Sequence, residues 1–162
     1  SFFNGTKIQR VGHFEDFTVE MMVLNGIPGL VPLVKTQDDS LRFWGTGVGS
    51  ITLASVGDSS IDSSVTAFEI PASQSNQVLE LDYKGDLVLI VGIKPFLGGI
   101  TQDTWYLAAA RPSNKWKKFY VALQDYVAEQ QATSYRIYIK AVLPEGKSSG
   151  RALLDNIQIV TF

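Results

Sequence analysis

Apolar side chains recur at every second position along much of this chain. Phe17, Val19, Met21 and Val23 share one parity while Thr18 and Glu20 hold the other, which is the pattern of a strand with one buried face. The same alternation sets Leu79, Leu81 and Tyr83 against Glu80 and Asp82, and Phe119, Val121 and Leu123 against Ala122 and Gln124. It returns in Tyr135, Ile137, Ile139, Ala141 and Leu143, set against Arg136 and Lys140. Positions 87–93 are apolar at both parities apart from Gly92, which predicts a central strand covered on both sides. Further strands are expected over 41–46, 50–54, 65–70, 104–110 and 154–160. Turn residues punctuate the series at Gly26-Ile27-Pro28-Gly29, Gly57-Asp58, Lys84-Gly85-Asp86, Gly98-Gly99, Pro112-Ser113-Asn114 and Pro144-Glu145-Gly146. About ten short strands at this spacing indicate an all-β sandwich or barrel. Only 125–132 could hold a helical turn or two, and 55–64, rich in Ser, Gly and Asp, reads as one long loop.

With 162 residues the chain has the size of a single domain, residues 1–162, able to bury a core without staples. Its 45% hydrophobic and 19% charged content is that of a globular protein. A net charge of −2, with Lys and Arg scattered apart from Lys115, Lys117 and Lys118, offers no basic stripe for a phosphate backbone and argues against nucleic acid. The absence of cysteine excludes a disulfide framework and a thiolate zinc site. The longest apolar stretch, 87–93, is too short to span a bilayer, so no transmembrane segment is expected. A first residue of Ser1 instead of Met suggests that an upstream segment, a signal peptide or lipoprotein leader, has been removed by processing, or else that the sequence has simply been trimmed. Separately, the expected setting is extracytoplasmic: secreted, periplasmic or a surface lipoprotein.

Four segments, in order, resemble the carbohydrate-binding-module and galactose-binding-like jelly rolls found beside bacterial glycan-degrading systems. Phe14-Glu15-Asp16-Phe17 is similar to the acidic opening strand of that superfamily, and Asp39-Ser40-Leu41-Arg42-Phe43 to its second strand. Trp116-Lys117-Lys118-Phe119-Tyr120-Val121 looks like its strand of tryptophan, basic and apolar residues, and Leu153-Leu154-Asp155-Asn156-Ile157-Gln158-Ile159 like its closing strand. The resemblance implies a jelly-roll β-sandwich of two antiparallel sheets. It does not imply one activity, because such folds host many functions.

Glu15 shares parity with Phe17 and Val19, and Asp155 with Ile157 and Ile159, so both carboxylates are expected to point inward. An inward carboxylate is costly unless paired or bound to a metal. Calcium takes oxygen ligands, and the resemblance implies a structural calcium between the first strand, the loop before the second and the closing strand. Here that means Glu15, Asp38 or Asp39, and Asp155. Alternatively, these carboxylates accept backbone N–H groups or pair with Arg10 or Arg151.

Sugars are held by aromatic faces backed by polar side chains. The available aromatics include Trp44, Trp105, Tyr106, Trp116, Tyr120 and Tyr138. Tyr120 and Tyr138 occupy the outward parity of amphipathic strands, and Trp44 shares parity with Arg42 and Thr46. These three, or alternatively loop residues around Trp105, are the expected stacking platforms, with Arg42 and Arg136 as hydrogen-bond donors. Packing is the competing role for each of them.

Catalysis finds little support. His13 is the only histidine, which excludes a two-histidine metal site and leaves one residue for any serine triad. Carboxylates are available for glycoside hydrolysis, but no pair at a recognisable spacing stands out. The run Gly45-Thr46-Gly47-Val48-Gly49-Ser50 suggests a phosphate loop but leads into a strand, so a glycine-rich hairpin turn is expected there. The sequence-level expectation is a non-catalytic module that binds a polysaccharide. A protein-interaction, adhesion or structural lipoprotein domain is the alternative.

Overall fold

The computed structural model describes residues 7–12, 21–23, 34–37, 47–64, 69–70 and 76–161. They form twelve strands and one helix: β1 (Lys7–Gly12), β2 (Met21–Val23), β3 (Val34–Gln37), β4 (Gly47–Leu53), β5 (Ser59–Ser64), β6 (Gln77–Gly85), β7 (Val88–Leu97), β8 (Ile100–Thr101), β9 (Trp105–Ala110), β10 (Ser113–Ala122), α1 (Gln124–Gln130), β11 (Ser134–Val142) and β12 (Gly150–Thr161).

Two antiparallel sheets result. The first runs β10-β6-β12-β4-β3, and β1 pairs with β12 beside β4. The second runs β2-β5-β11-β7-β8, with β9 beside β8 along the free edge of β7. The long strand β12 organises the first sheet. Residues 152–161 pair with β6 on one side, while on the other 150–154 pair with β4 and 157–161 with β1. Consecutive strands β4 to β7 alternate between sheets, as do β10, β11 and β12. This cross-sheet winding makes a jelly-roll sandwich.

The predicted alternation builds the core. Leu79, Leu81 and Tyr83 of β6, with Leu154, Ile157 and Ile159 of β12, face Leu89, Val91 and Ile93 of β7 and Ile137, Ile139 and Ala141 of β11 in one cluster. Each fully buried aliphatic side chain contributes roughly 1.5–3 kcal/mol relative to exposure. The helix closes one end of the core through buried Val127. The Tyr135 hydroxyl joins it to β11, accepting from the Ala132 N–H at 3.0 Å and donating to the Val127 carbonyl at 3.3 Å.

Two expectations are corrected. The serine-rich stretch 55–64 is only partly a loop. Gly57 turns the chain at φ +96, Asp58 accepts from the Ala54 and Ser55 N–H groups at 3.1 Å each, and β5 follows. It carries little apolar periodicity because its place is fixed by backbone pairing to β11 and β2. Gly47 and Gly49 likewise lie within β4, paired with Gln37 and Lys35 of β3, and not in a hairpin turn. The expected strand segments 17–20, 41–46 and 65–68 lie outside the described residues.

Candidate functional site

Because Leu89, Val91 and Ile93 of β7 and Tyr135, Ile137 and Ile139 of β11 face the core, the intervening residues project from the opposite side of their sheet. Across this outer face Gly92 is the register partner of both Tyr106 on β9 and Tyr138 on β11. One step along, Lys94 pairs with Arg136, then Phe96 with Ser134 and with Thr101 of β8. Lys94, Phe96, Thr101, Ser134, Arg136 and Tyr138 line a groove of about 470 Å³.

Glycine at position 92 lets the neighbouring ring lie against the strand. A Cβ there would stand 2.9 Å from Tyr106 Cδ1 and 2.5 Å from the Trp105 carbonyl oxygen. Tyr106 is left 44% exposed. Burial of the part that packs, and then the adjacent Tyr138, push its phenol upward from its ordinary value, so the hydroxyl remains a donor at neutral pH. The Lys94 ammonium stands 5.4 Å from the Tyr138 ring centroid, within cation–π range. The face therefore offers an exposed ring, hydroxyls and two cations side by side.

The expected site residues fall in several places. Arg136 lies in the groove. Tyr138 does point outward, yet it is only 7% exposed, with Lys94 over its ring. It forms part of the groove wall and is not an open platform, because parity reports which face a residue occupies and not what covers that face. Tyr120 is 47% exposed but stands on β10, opposite Glu80, in the other sheet. It cannot act with Tyr138 and Arg136 as one surface. Trp105 is no platform either. It packs on the core and meets Tyr126 edge-on at 5.7 Å and 87°. Its neighbour Tyr106 has the opposite parity and is the exposed ring. The sequence held one signal for this position, the lone Gly92 in an apolar strand, since glycine there often marks a close approach by another group. Arg42 and Trp44 lie outside the described residues, as do His13, Glu15, Asp38 and Asp39.

Asp155 is wholly buried, but it does not share the face of Ile157 and Ile159. The pairing of β12 with β6 shifts register between Asp155↔Asp82 and Gln158↔Glu80, and Asn156, at φ +50, sits in that bulge. One extra residue reverses parity, so Asp155 faces away from the core alongside Asp82. Around it, Asn156 donates to Asp82 at 2.8 Å, Gln158 donates to Glu80, and Lys118 lies 3.5 Å from Asp82 and 3.8 Å from Glu80. Among the described residues no three His, Asp or Glu side chains are grouped to hold a metal ion.

The sequence matches no protein-family profile and no curated protein. Solved structures do match the fold. The family 11 carbohydrate-binding module of the cellulosomal cellulase Lic26A-Cel5E of Clostridium thermocellum aligns with a TM-score of 0.60 at 10% identity, over 96% of this chain and 94% of that one. The family 29 module CBM29_1 of Piromyces equi aligns at 0.58 and 10% identity, over 98% and 92%. The family 30 module of the cellulosomal cellulase Cel9D-Cel44B of Clostridium thermocellum aligns at 0.55 and 14% identity, over 93% and 91%. The fold is thus the jelly roll of carbohydrate-binding modules.

Proposed function

We propose that the protein is a non-catalytic glycan-binding module, and that the sugar chain lies on the outer face of β7, β9 and β11 with one ring stacked on Tyr106. The exposed Tyr106 ring seated over Gly92, beside a groove in which Lys94, Thr101, Ser134 and Arg136 stand among aromatic residues, carries this reading. Apolar C–H faces of a sugar pack on such a ring while Lys94, Arg136, Ser134 and Thr101 meet its hydroxyls. The fold shared with carbohydrate-binding modules supports it. Glycoside hydrolysis uses a pair of carboxylates, and β7, β9 and β11 contain none. An extracytoplasmic setting, where polysaccharides are met, belongs to the same proposal. Among the described residues no helix is long and apolar enough to cross a membrane.

Affinity electrophoresis against a panel of soluble polysaccharides tests the reading. At least one should retard the wild type and fail to retard Tyr106→Ala; migration unchanged on every polysaccharide would sink it. The structural calcium enters as part of this proposal with Asp155 as one ligand, a buried carboxylate being the kind of donor calcium takes. A melting midpoint unmoved by EDTA would remove it.

Protein binding remains the second reading, on a specific observation. Phe96, Leu97 and Ile100 are exposed around Gly98 and Gly99 at the tip of the β7–β8 hairpin. Polar substitutions at Leu97 and Ile100 that leave polysaccharide retardation intact would separate that tip from the groove.

A further inference from the structure

The outer face of β7 carries a second exposed ring. Gly92, Lys94 and Phe96 share the parity opposite to that of the buried Val91 and Ile93. Phe96 is 38% exposed and lines the groove. Its register partners are Ser134 of β11 and Thr101 of β8, two short hydroxyl side chains that leave the ring open between them. The backbone presenting it is bonded on both sides. The Thr133 N–H donates to the Phe96 carbonyl at 2.8 Å, and the Gln102 N–H donates to the Pro95 carbonyl at 2.8 Å. Leu97 and Ile100, although exposed nearby, are register partners of the opposite parity and belong to the other side of the hairpin.

Tyr106 and Phe96 are displaced along the strands more than across them. Tyr106 pairs with Gly92 and its ring lies against that glycine, four residues before Phe96 on β7. At a rise of roughly 3.3 Å per residue the two positions stand roughly 13 Å apart along the strand, against roughly 4.8 Å between neighbouring strands. Lys94 and Arg136 form the row between them. The face thus runs lengthwise from a ring, through a polar row, to a second ring. A sugar offers an apolar C–H face to each aromatic and rim hydroxyls to the polar row. No disaccharide holds its two rings so far apart, so a chain that stacks on both aromatics needs at least one residue between the two that stack.

From this spacing we infer that Phe96 is a second stacking platform, and that the ligand is a linear glycan lying lengthwise along β7 and gripped within its chain. One sugar residue packs on Tyr106, another on Phe96, and at least one bridges the row of Lys94 and Arg136. The inference rests on the glycan-binding reading and adds the direction and least length of the ligand. A disaccharide reaches one aromatic only, so affinity depends on chain length.

The polysaccharide that retards the wild type most is cut by partial hydrolysis into a ladder from disaccharide to hexasaccharide. Each oligosaccharide is titrated calorimetrically into wild type, Phe96→Ala, Phe96→Trp and Leu97→Ser. Thermal melts confirm folding, and Phe96→Leu, which keeps apolar bulk without an aromatic face, replaces an alanine variant that fails to fold. Wild-type affinity should rise about tenfold or more between disaccharide and pentasaccharide, the lengths over which a chain first spans both rings. Phe96→Ala should flatten that rise while keeping the weak disaccharide affinity. Phe96→Trp, which restores an aromatic face, and Leu97→Ser, on the other side of the hairpin, should both retain it. A wild type that binds disaccharide as tightly as hexasaccharide overturns the inference, and so does a length dependence that survives in Phe96→Ala. In either case the glycan-binding reading stands so long as Tyr106→Ala still loses the polysaccharide. If no polysaccharide retards the wild type, both readings fall together.

Discussion

Tyr106 lies across Gly92, its register partner on the adjoining strand, so closely that any Cβ at position 92 would meet both the ring and the Trp105 backbone. The ring's position thus depends on a side chain that is missing. Gly92→Ala should force β9 away from β7 and cost about 1–3 kcal/mol, as overpacking does. The melting midpoint should drop by roughly 2–12 °C for a domain of this size, and affinity for the best-bound polysaccharide should fall with it. A melt and a titration of the purified variant check both effects. An alanine variant with wild-type stability and affinity would mean that the close approach does not govern the platform.

Trp105 should matter for stability and not for binding. It packs against the core and meets Tyr126 edge-on, so Trp105→Ala should cost about 3–5 kcal/mol. Trp105→Phe should be milder and leave affinity unchanged. Chemical denaturation beside a binding titration separates the two roles. Affinity lost at undiminished stability would return Trp105 to the ligand.

Tyr83 predicts an alkaline weakness. Burial pushes its phenol up to about 12, with the Asp86 charge acting the same way, while the hydroxyl donates to the Leu87 carbonyl. The folded state therefore keeps its proton after the unfolded chain has begun to release one near pH 10. Stability linked to this group is intact below pH 10 and declines as the pH rises towards 12, by up to about 3 kcal/mol. Tyr83→Phe should be less stable at neutral pH by about 1 kcal/mol, the net value of the lost hydrogen bond. It should, however, lose less stability between neutral and alkaline conditions. Denaturant midpoints of both proteins across that range check the sign, and parallel losses would contradict it.

The strands legible in the sequence are those whose packing writes itself into alternation. β6, β10, β11 and much of β7 and β12 fall where Leu79, Phe119, Tyr135, Val91 and Leu154 repeat with their neighbours. β5 was not legible, because a strand held by backbone pairing needs no apolar pattern, and Ser59–Ser64 has little. Parity also failed across the bulge at Asn156. One left-handed residue carries Asp155 to the far side of the sheet from Ile157, and nothing in the local composition announces it. The site was half legible for a similar reason. Alternation placed Arg136 and Tyr138 on one face and Tyr120 on a face of its own strand, but strand order alone puts Tyr120 in the opposite sheet. The exposure of Tyr106 follows from its neighbour across the strand, a relation the linear chain does not display.

The most direct test compares the two exposed tyrosines. Tyr106 and Tyr120 are similarly accessible but stand on opposite sheets, so they report on which face takes the ligand. Wild type, Tyr106→Ala and Tyr120→Ala should be titrated with the polysaccharide that the wild type binds best. Tyr106→Ala should weaken binding at least about tenfold, a loss near 1.4 kcal/mol, and Tyr120→Ala should match the wild type. If Tyr120→Ala abolishes binding while Tyr106→Ala retains it, the ligand lies on the other sheet and the account given for β7, β9 and β11 is wrong.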